Sequence, residues 1–248
     1  MKTIFKYILQ KSLGFRNYLF TFSLFKIYTI RWDKKENDFF YFLKMIPENA
    51  LILDIGANIG IMSVLLAKKA RGSEILSFEP VPENAATLQR VIRFFKLNNV
   101  RVFEMALGNS EGEVEMVLPV MGAVKMQGLS HVIHESIKEN NQGDKYKVSL
   151  RVLDKMNELK YISKPLKAIK IDVENFEYFV LEGTKQLLQK YKPIVYAELW
   201  KNENRDKCFE LMKSIGYSIN VVMNNVLVEY DEATHLSQNF IFYISGKD

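Results

Sequence analysis

The chain has 248 residues, enough to bury one large core, and its hydrophobic content of 48% and charged content of 25% are ordinary globular values. The single cysteine, Cys208, excludes an intramolecular disulfide and favours a reducing compartment such as the cytoplasm. The net charge of +5 belongs to the N-terminus, because residues 1–31 contain six Lys or Arg residues and no Asp or Glu. The remainder is close to neutral, which argues against a nucleic-acid-binding domain.

Residues 1–48 are predicted to form a basic, aromatic extension that precedes a domain spanning residues 49–248. Aromatic and basic residues alternate in this stretch, as they do in segments that contact a membrane interface. Its longest uncharged run, residues 17–25, is far shorter than the ~20 apolar residues of a membrane-spanning helix, and no signal-peptide cleavage site follows. Two interpretations stay open: the extension packs on the domain or on a second copy of the chain, or it contacts a membrane surface peripherally.

From residue 50 onward, apolar runs alternate with helical patterns. Strands are predicted at 51–55, 74–79, 100–105, 112–118, 145–152, 167–172, 193–199, 217–223 and 239–244, and helices at 60–70, 83–97, 176–190 and 203–215. This alternation predicts an α/β fold with a doubly wound, mainly parallel, seven-stranded sheet that binds its ligand at the carboxyl ends of the strands. Residues 119–144 lack a regular pattern and are predicted to form a lid or substrate loop.

The first predicted strand ends in a glycine-rich turn that runs from Asp54 to Gly60. Nineteen residues later Glu79 ends the second strand, where an acid can accept hydrogen bonds from ribose hydroxyls, so the pattern predicts an adenosine-containing cofactor. A dinucleotide is disfavoured because Asn58 replaces the middle glycine of the dinucleotide motif and Asp54 would repel a phosphate. Asp54 suits a cationic ligand such as S-adenosylmethionine. The Asp-x-Gly-x-x-x-Gly pattern resembles the first motif of the class I methyltransferases, which have a Rossmann-like fold.

A second motif, Lys-Ile-Asp-Val-Glu-Asn-Phe-Glu, occupies residues 170–177. Together with the glycine-rich turn, Ser-Phe-Glu-Pro at 77–80, Ala-x-Gly-x-x-x-Gly at 106–112 and Val-Leu-Glu-Gly at 180–183, it resembles the FkbM-type methyltransferase family over about residues 50–200. The resemblance implies methyl transfer from S-adenosylmethionine to a hydroxyl oxygen of a sugar, polyketide or other natural product. The family has glycine where this chain has Asn175. If that position requires a positive φ, asparagine is the next best tolerated residue.

The predicted cofactor-binding residues are Asp54, Gly56, Ala57, Asn58, Gly60, Glu79, Pro80 and Ala106. The predicted catalytic residues are Asp172, Glu174 and Glu177. Methyl transfer to a hydroxyl requires alignment of the reactants and removal of a proton, and crowded carboxylates raise the pKa of at least one member, as a base requires. The same acids could instead bind a divalent ion, or only stabilise a helix N-terminus. His131 and His134, in the irregular stretch, are weaker candidates for the base.

The sequence therefore predicts a cytoplasmic, S-adenosylmethionine-dependent O-methyltransferase that acts on a small hydroxylated acceptor such as a sugar, glycan or glycolipid. The alternative is a non-catalytic binding protein or membrane-associated scaffold that retains the fold. A nucleotide-dependent oxidoreductase and a nucleic-acid methyltransferase are both disfavoured, the latter because the domain lacks a basic surface charge and a motif for a flipped base.

Overall fold

The computed structural model describes residues 2–135, 137, 141–157, 159 and 163–244. The helices are α1 Lys2–Leu13, α2 Phe15–Thr29, α3 Asn37–Met45, α4 Ile61–Lys69, α5 Pro82–Phe94, α6 Glu177–Glu182, α7 Lys185–Tyr191 and α8 Glu203–Ser214. The strands are β1 Leu51–Ile55, β2 Glu74–Phe78, β3 Val100–Phe103, β4 Ala106–Leu107, β5 Gly112–Met121, β6 Val124–Lys125, β7 His131–Val132, β8 Gly143–Arg151, β9 Leu166–Ile171, β10 Ile194–Glu198, β11 Ser218–Met223, β12 Val226–Glu229 and β13 Asn239–Tyr243.

The main sheet contains eight of the described strands, in the order β12-β11-β13-β10-β9-β1-β2-β3. Strands β3, β2, β1, β9 and β10 run parallel, and β13, β11 and β12 extend the sheet through antiparallel pairs. The predicted mainly parallel α/β sheet is confirmed, with one more strand than expected. The additional strand, β12, follows a tight hairpin turn at Asn224 and Asn225, whose φ angles are 52° and 61°. Asparagine tolerates this left-handed conformation, so the turn chemistry accounts for the strand.

A smaller, mainly antiparallel sheet is inserted between β3 and β9 in the chain. Its two long strands, β5 and β8, pair from Gly112 opposite Leu150 to Pro119 opposite Gly143. The stretch 119–144, predicted to be irregular, contains β6, β7 and a 3₁₀ turn at Gln127–Leu129. Residues 136 and 138–140 of that predicted lid lie outside the described residues. The insertion places a second wall beside the carboxyl ends of the main sheet.

The single helix predicted at 176–190 is in fact two helices, α6 and α7. The break lies at Gly183, where an added Cβ would overlap the carbonyl oxygen of Gly108. The Gly183 carbonyl accepts a hydrogen bond from the Asp154 amide at 3.0 Å, and the Asp154 carboxylate caps α7 by accepting from the amides of Gln186 and Leu187 at 2.8 and 3.0 Å. A distant side chain therefore starts the second helix, which a local pattern does not reveal.

The N-terminal helices pack against the domain. Tyr18 and Leu19 of α2 form a buried cluster with Ile59, and the Ser23 hydroxyl donates to the Ile59 carbonyl at 2.9 Å. On α3, the rings of Phe39 and Phe42 lie 5.8 and 5.4 Å from the ring of Tyr196 in β10. Parts of the predicted extension thus belong to the hydrophobic core. Within the described residues, every helix is too short or too polar to cross a bilayer.

Candidate functional site

Four acids lie at or next to the carboxyl ends of adjacent parallel strands. Asp54 is the penultimate residue of β1, Glu79 follows β2, Asp172 follows β9, and Glu198 is the last residue of β10. Since the sheet order is β10-β9-β1-β2, these ends form one edge of the sheet. That edge is where open α/β sheets bind their ligands.

The glycine-rich turn after β1 is held tightly between β2 and β9. The amides of Gly56 and Ala57 both donate to the Phe78 carbonyl, at 3.0 and 2.9 Å. Gly56 has a φ of 74°, and a Cβ at that position would overlap the carbonyl oxygen of Asp172. Gly60, with a φ of 86°, packs against the side chain of Leu88. The left-handed backbone favours glycine at both positions, and at Gly56 the Asp172 carbonyl also leaves no room for a side chain.

Glu79 is buried beneath the turn with both of its oxygens engaged. Its Oε2 accepts from the Asn58 amide at 2.8 Å, and its Oε1 accepts from the Val81 amide at 3.0 Å and from Asn84 Nδ2 at 3.3 Å. Burial raises the pKa of Glu79 to about 7, although the three hydrogen bonds act in the opposite direction. The carboxyl group is therefore oriented by the protein and poised to respond to a ligand that donates hydrogen bonds.

Asp54, which was predicted to contact a cationic ligand, lies beneath the glycine-rich turn. Asp54 is fully buried, its Oδ2 accepts a 2.5 Å hydrogen bond from Ser63, and its Oδ1 lies 3.3 Å from the Lys170 ammonium. Its charge is thus balanced inside the protein. Asp54 does not line the cavity that lies between this edge of the main sheet and the inserted sheet. The aspartate organises the turn from below, and only the register of β1 beside β9 reveals its partner.

Lys170 links the two motifs that were identified in the sequence. Its buried ammonium donates to the Gly56 carbonyl at 2.7 Å and lies 3.3 Å from Asp54 and 3.6 Å from Asp172. Burial alone would lower the pKa of Lys170, but the carboxylates of Asp54 and Asp172 outweigh it and hold the pKa above its usual value. The lysine therefore remains charged and ties the ends of β1 and β9 together.

The three acids of the second motif, residues 170–177, have different environments. Asp172 and Glu174 line the cavity, and the Asp172 side chain is 38% exposed. Burial raises the pKa of Glu174 to about 9, and the neighbouring charges of Asp172, Glu198 and Glu177 add to the effect. Burial likewise raises the pKa of Glu198 to about 7. The structure therefore brings one accessible acid next to one that holds its proton at neutral pH.

Glu177, which was predicted to be catalytic, is not among the residues that line the cavity. The side chain is 2% exposed, and its Oε1 accepts hydrogen bonds from the amides of Val173 and Asn175 at 3.0 and 3.2 Å. Burial raises its pKa to about 8. Glu177 braces the turn that presents Glu174, which is a structural contribution to the site.

That turn contains two consecutive residues with left-handed backbones. The φ angle is 53° at Glu174 and 76° at Asn175. The Asn175 side-chain oxygen accepts from Asn202 Nδ2 at 2.8 Å, and the Asn175 carbonyl accepts from Asn204 Nδ2 at 3.0 Å. The position does require a positive φ, and asparagine meets that requirement while gaining hydrogen bonds to the start of α8.

A cavity lies between the edge of the main sheet and the inserted sheet. Of the predicted site residues, it is lined by Gly56, Asn58, Glu79, Pro80, Ala106, Asp172 and Glu174. Asp54, Ala57, Gly60 and Glu177 lie behind this lining. The inserted sheet and its turns supply Met116, Gln127, Gly128, Ser130 and Val132.

Three buried amide oxygens in the cavity wall lack a partner within the described part of the chain. They are Asn58 Oδ1, Asn84 Oδ1 and Gln127 Oε1. A buried acceptor without a donor is costly, by about 1–3 kcal/mol. A ligand with several hydroxyl or amino donors would satisfy these oxygens, and an adenosine-containing cofactor has such groups. The residues present therefore fit the predicted class of cofactor.

A family model described as the methyltransferase FkbM domain matches residues 54–231. The chain belongs to the FkbM methyltransferase family. This membership confirms the predicted family and the prediction of an S-adenosylmethionine-dependent methyltransferase. The match begins at Asp54 and includes both motifs that Lys170 joins.

Similar proteins extend the FkbM assignment. Methyltransferase sdnD of Sordaria araneosa is 26% identical over 204 residues, which are 73% of this chain and 79% of that protein. Methyltransferase 1 of Beauveria bassiana (strain ARSEF 2860) is 26% identical over 157 residues, which are 58% of this chain and 61% of that protein. The crystal structure of methyltransferase FkbM from Methylobacillus flagellatus KT matches with a TM-score of 0.52 and 17% identity over 80% of this chain. The chain spans 44% of that structure, and the likeness shows a shared fold.

The two histidines of the FkbM domain insertion do not line the cavity. The ring nitrogens of His131 lie 2.8 Å from the Leu129 carbonyl and 3.0 Å from Asn141 Oδ1, so both are engaged. The ring of His134 packs 4.8 Å from that of Phe179. Neither geometry favours a role as the base. Among the described residues, no group of three or more His, Cys, Asp or Glu side chains is arranged to hold a metal ion.

Residues 119–144 were predicted to form a lid or substrate loop, but no individual residue of the inserted sheet was predicted to line the site. Gln127 and Ser130 reach the cavity from a 3₁₀ turn and its flank, and Met116 and Val132 contribute an apolar wall. Alternation along residues 112–118 indicated a strand, but nothing in the sequence indicates that this strand covers the edge of the main sheet. Only the antiparallel pairing of β5 with β7 and β8 places these side chains there.

Proposed function

We propose that this FkbM protein transfers a methyl group from S-adenosylmethionine to a hydroxyl oxygen of a small neutral acceptor, with sugars, glycans and glycolipids as the acceptor class. The observation that carries the proposal is the pairing of two groups in one cavity. Glu79 and the unpartnered amide oxygens line the same cavity as Asp172 and Glu174, and β1 separates the strand that precedes Glu79 from the strand that precedes Asp172. The first group suits a polyhydroxylated nucleoside, and the second suits a hydroxyl that must lose a proton.

The cofactor would be held chiefly by groups that accept hydrogen bonds. Glu79 would receive the ribose hydroxyls, and Asn58, Asn84 and Gln127 would receive further donors through their unpaired oxygens. When bound, S-adenosylmethionine supplies an electrophilic methyl group on a sulfonium centre. Gly56, which has no side chain, lets the backbone of the turn lie directly against the Asp172 carbonyl. Groups that accept hydrogen bonds are common in this part of the lining, which suits the hydroxyl and amino donors of a nucleoside better than the phosphates of a dinucleotide.

Asp172 is the group best placed to accept the acceptor proton. It is exposed to the cavity, whereas Glu174 has a pKa of about 9 and is therefore protonated at neutral pH. A neutral Glu174 can donate a hydrogen bond to the acceptor oxygen or to a neighbouring hydroxyl, which helps to orient it. Proton removal and orientation together supply the two requirements of hydroxyl methylation.

Charge also limits the acceptor class. Asp172, Glu174 and Glu198 gather at the same edge, with Lys170 buried beneath them. An acceptor that carries phosphates or carboxylates near its reacting hydroxyl would be repelled by the carboxylate of Asp172 and by the ionised form of Glu198, whereas a neutral polyol could accept a hydrogen bond from the protonated Glu174 and donate to the other acids. This reasoning supports neutral sugars and disfavours nucleic acids. The buried, single Cys208 fits the cytoplasm as the site of action.

The experiment has two stages. Calorimetric titration with S-adenosylhomocysteine should show one-to-one binding by the wild type and weaker binding by Glu79→Ala. A methyl-transfer assay with a panel of neutral glycans and glycolipids should then show turnover that is lost in Asp172→Asn and kept in Asp206→Asn, which removes an exposed acid on α8. Cofactor binding without turnover on any hydroxylated acceptor would instead favour the non-catalytic alternative, and no cofactor binding would contradict both stages.

A further inference from the structure

Helix α1 turns an apolar face toward solvent. Ile4, Phe5 and Ile8 are 65%, 64% and 52% exposed. With 3.6 residues per turn, these positions span an arc of about 100° on the helix surface. Three large apolar side chains on one solvent-facing stripe are uncommon in a monomeric soluble protein and mark an interaction surface.

The opposite side of α1 is anchored to the domain, which fixes the direction of the apolar face. Gln10 Nε2 donates to the Lys125 carbonyl at 3.0 Å, and the Lys125 amide donates to Gln10 Oε1 at 3.1 Å. The side-chain amide of Gln10 thus bonds to both backbone groups of Lys125, as a neighbouring strand would, and attaches α1 to β6. The exposed stripe is thus a property of the folded chain rather than of a detached helix.

The tip of the β5–β6 hairpin extends the apolar face. A shallow groove is lined by Ile4, Tyr7, Met121, Gly122, Ala123 and Val124, and Met121 is 42% exposed. Gly122 has a φ of 63° and adds no side chain to the tip. The helix and the hairpin tip therefore form one continuous surface, the α1 face, which contains Ile4, Phe5, Tyr7, Ile8 and Met121.

The charged residues of α1 and α2 are all basic, and the acid near the hairpin, Asp144, is paired with Lys125. Residues 1–31 contain six Lys or Arg residues and no Asp or Glu, and Lys11 lies 5.8 Å from the ring centroid of Tyr7 on the same helix. A stripe of large apolar residues with flanking lysines is the pattern of helices that lie in the headgroup region of anionic bilayers. Two copies of the α1 face would bring like charges together, which disfavours self-association.

We propose that the α1 face docks on an anionic lipid bilayer, with Ile4, Phe5, Ile8 and Met121 inserted among the lipid chains. The hairpin that carries Met121 continues directly into Gln127, Gly128 and Ser130, which line the cavity. Docking would hold the cavity wall close to the bilayer, where a membrane-borne acceptor is presented. The binding itself does not depend on methyl transfer, so the two proposals can fail separately.

The test is sedimentation of the full chain with vesicles of phosphatidylcholine, with and without phosphatidylglycerol. We expect binding to the anionic vesicles, weakened by added salt, and a loss of about tenfold or more in the partition coefficient of the triple variant Ile4→Ser, Phe5→Ser, Ile8→Ser. The matched control, Met223→Ser, Val226→Ser, Leu236→Ser, removes three other exposed apolar side chains and should bind as the wild type does.

Circular dichroism and S-adenosylhomocysteine binding of each variant show whether the fold is intact. Equal binding of the wild type and the α1 variant would overturn the proposal, as would equal binding to neutral and anionic vesicles. If vesicle binding were lost only in the double variant Phe25→Ser, Tyr28→Ser, the membrane contact would lie on α2, and the proposal would also be overturned. A wild-type dimer that the α1 substitutions convert to a monomer, without vesicle binding, would identify the face as a contact between two copies of the chain.

Discussion

The Lys170 ammonium donates a 2.7 Å hydrogen bond to the carbonyl oxygen of Gly56. The two residues are distant in sequence, but Lys170 pairs with Asp54 across β9 and β1, and Gly56 follows two residues later. The bond therefore joins the second motif, residues 170–177, to the glycine-rich turn. The glycine-rich turn and the turn that carries Asp172 are therefore both held by the buried ammonium of Lys170.

Lys170→Met should destabilise the protein strongly, because it leaves the carboxylate of Asp54 buried without its counter-ion. Removal of one partner of a buried ion pair costs about 3–5 kcal/mol. Equilibrium urea unfolding measures this change, and Lys167→Met, at an exposed position on the same strand, is the matched control. The double variant Asp54→Asn, Lys170→Met should recover part of the loss. An unchanged unfolding midpoint in the single variant would contradict the pairing.

Binding of S-adenosylhomocysteine should weaken as the pH falls below about 7. Burial raises the pKa of Glu79 to about 7, so acid protonates the carboxylate that accepts the ribose hydroxyls. A ligand that requires the ionised form loses about tenfold in affinity per pH unit below that pKa. Calorimetry between about pH 5 and pH 8 measures the slope. Glu79→Gln should bind more weakly at neutral pH and should show no slope in this window; the same slope in the variant would assign the effect to another group.

Acid affects the stability of the fold through Glu79 in the opposite direction to its effect on ligand binding. Its pKa in the fold is above the ordinary value of 4.5, so the ligand-free fold binds more protons than the unfolded chain between 4.5 and about 7. The free energy of unfolding contributed by this group is therefore greatest below pH 4.5 and decreases as the pH rises through about 7. Ligand and fold thus favour different protonation states of one carboxyl group.

Asp172→Asn should reduce kcat for methyl transfer by about 10²- to 10⁴-fold, the contribution of a general base. Glu174→Gln should be much milder, since the pKa of about 9 means that Glu174 is already neutral when the enzyme works at neutral pH, and glutamine preserves a neutral hydrogen-bonding group. Steady-state kinetics and S-adenosylhomocysteine affinity, which both variants should retain, separate chemistry from binding. If Glu174→Gln were the more damaging change, Glu174 rather than Asp172 would be the base.

The sequence predicted the elements whose signal is local. Gly56 and Glu79 were identified because a glycine turn and an acid follow apolar runs, and the structure places both in the cavity wall. Asp54 was assigned to the ligand because its buried partner, Lys170, becomes visible only when β1 and β9 are paired. The break between α6 and α7 was missed because its cap, Asp154, lies far away in sequence. Gln127 was missed for the same reason: its place depends on the inserted sheet.

Asn175 offers a test of backbone conformation at the site. Its φ of 76° costs an ordinary residue about 1–2 kcal/mol, and its side chain accepts from Asn202 at 2.8 Å. Asn175→Ala should therefore lower the free energy of unfolding by about 2–3 kcal/mol, whereas Asn175→Gly keeps the conformation and should lose only about 1 kcal/mol. Urea unfolding of both variants separates strain from bonding, because both lose the side-chain hydrogen bond and only alanine meets the left-handed backbone with a Cβ. Equal losses for alanine and glycine would show that the left-handed backbone carries no penalty here.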